Sequence, residues 1–164
     1  VVQKDCLPKT AWPPTWTPAD SSQDVPFSFD CPDSVQEIRL HFIFSPGLEI
    51  ADEICRPQVE KALTRYYDCY PRDLQPMDAQ KFLPVKNLIT LSLDKDGRYL
   101  GNAHRWAPDQ AHILTETQAS LGFTPPDRLP GHWAGMLHLH EVISPACHGK
   151  LRIEGREAYE MVSG

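Results

Sequence analysis

A pair of histidines two residues apart is the first feature of this sequence that suggests a chemical role. His138 and His140 share one face if residues 132–143 form a strand, because successive side chains of a strand point to opposite sides. Two imidazoles on one face, with a third ligand from elsewhere, suit zinc. The sequence contains no HExxH motif, so we expect no metal and no cofactor, and His138 and His140 are only weak metal-ligand candidates.

Basic residues recur at even spacing near the end of the sequence. They are Lys150, Arg152 and Arg156. Residues 149–162 alternate like a strand, so these three side chains would share a face that could meet phosphate or an acidic partner. Glu154 has the same parity and dilutes the positive charge of this candidate partner face.

Five cysteines are widely spaced and form no CxxC pair, which argues against a zinc ribbon or a thioredoxin-like redox site. They are Cys6, Cys31, Cys55, Cys69 and Cys147. Wide spacing suits disulfides in an oxidising compartment, and we therefore expect a secreted protein. The alternative is a cytosolic protein with buried free thiols. The odd number leaves one thiol free or paired between chains.

The overall composition predicts a folded chain of one domain, or of one domain with an arm. The chain has 164 residues, of which 41% are hydrophobic and 23% are charged, and its formal net charge is −6. The negative charge argues against strong nonspecific binding of nucleic acid, where contacts of Lys and Arg with phosphate dominate the affinity. No stretch approaches the roughly 20 apolar residues of a membrane span, so we expect no membrane partner.

Proline is concentrated at the start of the sequence, with seven of its 16 residues in the first 46 positions. Proline fixes φ and lacks a backbone donor, so it interrupts regular elements. Residues 1–28 are therefore predicted to form an extended arm, with Trp12 and Trp16 as candidates to anchor it to the body of the domain.

Hydrophobic periodicity predicts the remaining elements. Alternation of apolar residues indicates a strand at 36–45, and spacing of three and four indicates a helix at 52–67. Asp96-Gly97 between two apolar runs predicts a hairpin. Residues 109–121 fit a second, short helix with Gly122 as its stop. The predicted fold class is α+β, with one main helix packed on a curved antiparallel sheet and the second helix inserted.

The order of several short motifs resembles the ribonuclease-like secreted effectors of plant-pathogenic fungi, which share the fold of small secreted microbial ribonucleases. The motifs are Phe29-Asp30-Cys31, Tyr66-Tyr67, Tyr70-Pro71, the run 81–85, the turn 94–97, the run 98–101, and Cys147 ahead of 151–155. The resemblance implies a ribonuclease-like domain over 29–164, with a large insertion at about 106–146. It also implies a disulfide between Cys31 and Cys147. The pairing of Cys6 with Cys55 or Cys69 stays open.

The catalytic set of the family is incomplete in this sequence. Arg72 stands where these ribonucleases carry a histidine, and Gln80 or Lys81 stands near the position of their glutamate. His104 matches their last histidine, but an acid without its base does not form a general acid–base pair. The resemblance thus implies an inactive scaffold with a remnant phosphate-binding or RNA-binding set. Its members would be Tyr70, Arg72, Lys81, His104 and Arg105.

The function expected on this basis is that of a secreted virulence effector that binds a host protein or RNA, and that a plant immune receptor could recognise. Two alternatives remain open from the residues. The first is an active ribonuclease with a rearranged site, in which His104 is the acid and His138 or His140 is the base. The second is a secreted protein that binds a metal or a small ligand.

Overall fold

Antiparallel strands dominate the structure, a computed structural model that describes residues 15–71 and 77–158 and the backbone of Gln3–Asp5. The strands are β1 (Gln3–Asp5), β2 (Thr15–Trp16), β3 (Gln23–Cys31), β4 (Val35–Ser45), β5 (Leu48–Glu49), β6 (Val85–Lys86), β7 (Leu88–Lys95), β8 (Arg98–Ala103), β9 (Asp109–Leu114), β10 (Gly131–Glu141) and β11 (Cys147–Glu157). The one α-helix among the described residues is α1 (Asp52–Cys69). This agrees with the predicted α+β class, antiparallel sheet and main helix.

The strands form two main sheets. Sheet one has the order β1-β11-β4-β9, and β2 also pairs with β11; sheet two has the order β3-β10-β7-β8. The short strands β5 and β6 pair separately. Buried side chains from both main sheets belong to one core cluster, so the sheets pack face to face as a sandwich.

Alternation along β4 shows how the sequence produces this core. Ile38, Leu40, Phe42 and Phe44 are all buried, while the residues between them are exposed or half-buried. Sheet two contributes Phe29 and Trp133, whose rings stack with centroids 5.6 Å apart. Each such aromatic removes a large apolar area from water, at about 25 cal/mol per Å².

The helix α1 contributes little to this core, because Cys55 is its single buried residue. It runs from Asp52 to Cys69, with Ala51 as its N-cap and Pro57 inside it. The predicted apolar stripe is only partly covered: Val59 and Leu63 are half-buried, and Tyr66 is exposed. The core therefore lies between two sheets rather than between a helix and a sheet. No helix in the described residues is both long and apolar enough to cross a membrane.

Three sequence-based boundaries differ from the structure. The predicted second helix at 109–121 is not formed; Asp109–Leu114 is strand β9, which pairs with β4. The boundary between arm and domain at residue 28 falls inside β3, although Trp16 is buried as expected of an anchor. The proposed insertion at 106–146 contains β9 and β10, which are members of the two main sheets.

Candidate functional site

The outer face of sheet two carries a histidine cluster, which we define as His104, His138 and His140. Side chains of β7 alternate between the core and this outer face, so that Ile89, Leu91 and Leu93 enter the core while Thr90 and Ser92 point outward. Thr90 and Ser92 are nevertheless buried; Thr90 hydrogen-bonds to His140, and Ser92 hydrogen-bonds to His138. Buried hydroxyls need such partners, which explains polar residues in the central strand.

His138 has hydrogen-bond partners at both ring nitrogens. Its Nδ1 lies 2.7 Å from Asp24 Oδ1, and its Nε2 lies 2.9 Å from Ser92 Oγ. Asp24 and His138 are direct cross-strand partners on β3 and β10. The carboxylate fixes the orientation of the imidazole ring by accepting from one of its nitrogens.

His140 connects His138 to His104. Its Nε2 lies 2.9 Å from Thr90 Oγ1, and its ring centroid is 5.1 Å from that of His104 and 6.0 Å from that of His138. Partial burial and the neighbouring rings of His104 and His138 hold the pKa of His140 below its usual value. A lowered pKa favours the neutral imidazole form of His140 at physiological pH.

The metal candidates His138 and His140 do come together, but as hydrogen-bonded partners of hydroxyls. The described residues contain no group of three or more His, Cys, Asp or Glu side chains arranged to hold a metal ion. Both nitrogens of His138 are engaged, and so is Nε2 of His140, which leaves the pair poorly placed as ligands.

A second candidate surface is the outer face of sheet one, which we call the basic face. Lys150, Arg152 and Arg156 of β11 lie on it as expected from their spacing. The register places His41 opposite Arg152, and Arg39 opposite Glu154. Arg39 and His41 of β4 thus extend the predicted set into a continuous surface.

Acidic residues neutralise part of the basic face. Arg39 pairs with Glu37 at 2.5 Å, His41 with Asp109 at 2.7 Å, and Arg152 with Glu154. The side chain of Arg152 is 55% exposed, whereas that of Glu154 is 14% exposed. The arginine therefore lies above its carboxylate and presents its charge to solvent. Lys150 has no ion-pair partner in the described part of the chain.

The predicted phosphate-binding remnant is dispersed. Tyr70 is the C-cap of α1, with its ring tilted against that of Tyr66 at a centroid distance of 4.9 Å, and Lys81 lies on the 3-10 helix Ala79–Phe82. Arg105 donates to the carbonyl of Leu121, and Arg72 lies outside the described residues. Of the set, His104 is the member that the described structure brings into the histidine cluster.

The expected Cys31–Cys147 disulfide is not formed. Cys31 lies just before the start of β4, whereas Cys147 immediately precedes His148, which pairs with Ser45 at the end of β4. Ten strand residues span roughly 33 Å, and a disulfide needs Cα atoms within about 7 Å. Cys55, Cys69 and Cys147 are free thiols, and Cys6 lies outside the described residues.

Several residues of both surfaces were not predicted from the sequence to be site residues. Asp24 lay in the presumed arm, and Ser92, Thr90, Arg39 and His41 lay in strands whose partners were unknown. The signal that could have found them is strand parity, because Thr90 and Ser92 alternate with three buried aliphatic residues. Comparison of the chain with protein-family models, with curated proteins and with solved structures gave no match.

Proposed function

We propose that this protein is a binding domain whose basic face docks an acidic partner protein. The observation that carries the proposal is the alignment of Lys150, Arg152 and Arg156 with Arg39 and His41 across neighbouring strands. These side chains stand on paired strands of one sheet, so little backbone order has to be acquired on binding.

The floor of the basic face supports a protein partner. Two shallow depressions run along β4; one has Ala111 and the partly exposed Ile113 between its cations, and the other has Ile43 and Pro108 beside Lys150. An apolar floor with a charged rim is the usual anatomy of a protein interface. The rim charges would steer association and make its rate depend on salt concentration.

We propose further that the partner is a host protein and that this protein is a secreted effector. The sequence resemblance supports this assignment, and the geometry of the basic face supplies the chemistry of the contact. An inactive ribonuclease-like role agrees with the position of Tyr70 and Lys81 on elements that supply no residue to the histidine cluster.

The test is the binding of the whole chain to immobilised poly-L-glutamate. The double variant Lys150→Glu/Arg152→Glu is compared with Lys61→Glu/Arg65→Glu, which makes the same charge change on exposed positions of α1. We expect the first variant to bind roughly tenfold or more weakly, and the second to bind about as the wild type does.

Two outcomes would overturn this proposal. Equal losses in both double variants would mean that net charge, rather than the basic face, governs the binding. Tighter binding of a single-stranded RNA oligonucleotide than of polyglutamate, lost in the same β11 variant, would assign the face to RNA instead.

A second candidate function is RNA cleavage, and the adjacency of His104 and His140 favours it. One imidazole can donate a proton while its neighbour accepts one, and the low pKa of His140 suits the base. A fluorescent single-stranded RNA would report cleavage. Activity that persists in His104→Ala at the level of a His148→Ala control would refute this candidate.

A further inference from the structure

We infer that Asp24, His138 and Ser92 form a nucleophilic relay in which Ser92 cleaves a small carboxylic ester. The relay is a chain of two short hydrogen bonds, with Asp24 Oδ1 2.7 Å from His138 Nδ1 and His138 Nε2 2.9 Å from Ser92 Oγ. A Ser-His-Asp arrangement is recognised by this geometry and these roles rather than by sequence order.

Elementary hydrogen-bond chemistry fixes the direction of the relay. An ionised carboxylate only accepts, so Nδ1 of a neutral His138 carries the proton that it donates to Asp24. Its Nε2 is then an acceptor, and the Ser92 hydroxyl donates to it. This tautomer is the one in which a histidine can take a proton from a serine.

Strand register brings the three residues together. Asp24 lies directly opposite His138, whereas Ser92 is diagonal to it, because His138 is opposite Thr90 and Met136 is opposite Ser92. The relay therefore crosses three neighbouring strands, β3, β10 and β7. All three strands belong to sheet two, and their pairing fixes the relative positions of the three side chains.

Asn102 lies beside the nucleophile and suits the role of oxyanion donor. It is the cross-strand partner of Ser92 on the side away from β10. Its Oδ1 is buried without a hydrogen-bond partner in the described structure. Exchange of the amide oxygen and nitrogen by rotation would put the donor Nδ2 in this unpaired position, on the strand next to Ser92.

The reaction balances with water as the only co-reactant. Ser92 Oγ attacks the ester carbonyl while its proton passes to His138 Nε2, and that proton then leaves with the alkoxide as an alcohol. Water then attacks the acyl carbonyl and gives a proton to the same nitrogen, and that proton passes to Ser92 Oγ as the bond between the acyl carbon and Oγ breaks. The products are a carboxylic acid and the regenerated Ser92 hydroxyl.

Burial defines the substrate class. Ser92 is 6% exposed, so a short acyl group such as acetyl can reach its hydroxyl more readily than a bulky one. His140 bonds to Thr90 in the same way, but within the described residues its ring borders His104 and His138 and has no hydrogen bond to a carboxylate that would orient it. The relay lies on sheet two, whereas the basic face lies on sheet one. A test of the relay therefore stands or fails independently of the proposed binding function.

The experiment combines p-nitrophenyl acetate hydrolysis with covalent labelling by a small, untagged fluorophosphonate, located by peptide mass spectrometry. We expect a single adduct on Ser92 and a rate that falls roughly a hundredfold or more in Ser92→Ala and in His138→Gln. His132→Gln is the matched control, because His132 contacts Asp30 at 3.0 Å on the same sheet. Ser28→Ala removes another hydroxyl of sheet two as a second control.

Each remaining outcome overturns the inference. An adduct on another residue, or none, would show that Ser92 is not activated. Hydrolysis that survives Ser92→Ala but is lost in His138→Gln would identify His138 itself as the nucleophile. Circular dichroism melts of all variants separate a lost relay from a lost fold, and Asp24→Asn keeps a test available if His138→Gln unfolds.

Discussion

The indole ring of Trp16 lies directly against the backbone of Gly149, where β2 meets β11. A Cβ atom added at Gly149 would come within 2.1 Å of Trp16 Cζ3. Trp16 is buried and pairs with Cys147, so the ring reaches diagonally across the strand to Gly149. The contact explains why a residue without a side chain occupies this strand position.

Gly149→Ala is expected to lower the free energy of unfolding by roughly 1–3 kcal/mol, because the added methyl group overpacks the site. Urea denaturation measures the loss. In a Trp16→Ala background the same substitution should cost clearly less, since the ring that it meets is gone. An equal cost in both backgrounds would contradict the contact.

His112 predicts acid sensitivity of the fold. It is buried on β9 beside the ring of Phe123, and burial, with a smaller contribution from the charge of Arg105, lowers its pKa to about 4. The unfolded chain binds a proton near pH 6.5, so the stabilisation present above that pH is lost as pH falls towards 4. The loss amounts to about 3 kcal/mol.

His112→Leu removes this titration. We expect its urea midpoint to change less between pH 7 and pH 4.5 than that of the wild type. His41→Gln, which removes an exposed histidine of the neighbouring strand, serves as the control and should follow the wild type. A His112→Leu profile as steep as that of the wild type would assign the acid sensitivity to other groups.

Thiol reactivity distinguishes the free cysteines from the disulfides that the resemblance implies. Cys69 is exposed, whereas Cys55 and Cys147 are buried, and burial raises the pKa of Cys147 to about 11. Iodoacetamide at pH 8 without reductant should therefore modify Cys69 in the native protein, and Cys55 and Cys147 only after unfolding in urea. If Cys147 stays unmodified in urea until a reductant is added, it is in a disulfide, and its assignment as a free thiol would be wrong.

The pairing of β9 with β4 can be tested by cross-linking. His41 and Ala111 are direct cross-strand partners, and such pairs have Cβ atoms about 4.5–5.5 Å apart. His41→Cys/Ala111→Cys is therefore expected to form a disulfide under mild oxidation, detected by peptide mass spectrometry. The diagonal pair Ile43→Cys/Ala111→Cys should link less completely, and equal linking would argue for the helix expected at 109–121.

Local patterns predicted the elements whose apolar residues have the expected period. The strand at 36–45 matches β4, the helix at 52–67 matches α1, and Asp96-Gly97 turns the β7–β8 hairpin with positive φ at both residues. Type I′ turns require that conformation, which Asp-Gly tolerates. These features depend on neighbours in sequence, so the sequence alone was sufficient.

Strand β9 shows why the rest was not predictable. Its buried positions are Gln110, His112 and Leu114, while Ala111 and Ile113 face outward. The hydropathy pattern is therefore out of phase with the burial, and a helix fitted it better. Gln110 satisfies its amide through Ala107 and contacts His112, a local solution that hydrophobic periodicity does not reveal.

Both candidate surfaces depended on long-range register. The sequence indicated that Lys150, Arg152 and Arg156 share a face and that His138 and His140 do so. It could not show that Asp24 and Ser92 flank His138, because strand pairing across the chain decides this. Pairing of distant strands is set by the whole sandwich rather than by any short segment.

The helix α1 lies outside the core between the two main sheets, so its sequence can change with little effect on the packing of that core. The helix and the 3-10 helix after it lie in the chain between β5 and β6, which pair through Leu48 with Lys86 and Glu49 with Val85. Cys55 is the one residue of α1 that is buried. A short loop in place of the whole helix would therefore leave the pairing of both main sheets intact. Descendants of this sequence could therefore exchange the segment for another and acquire a new surface without having to rebuild the sandwich.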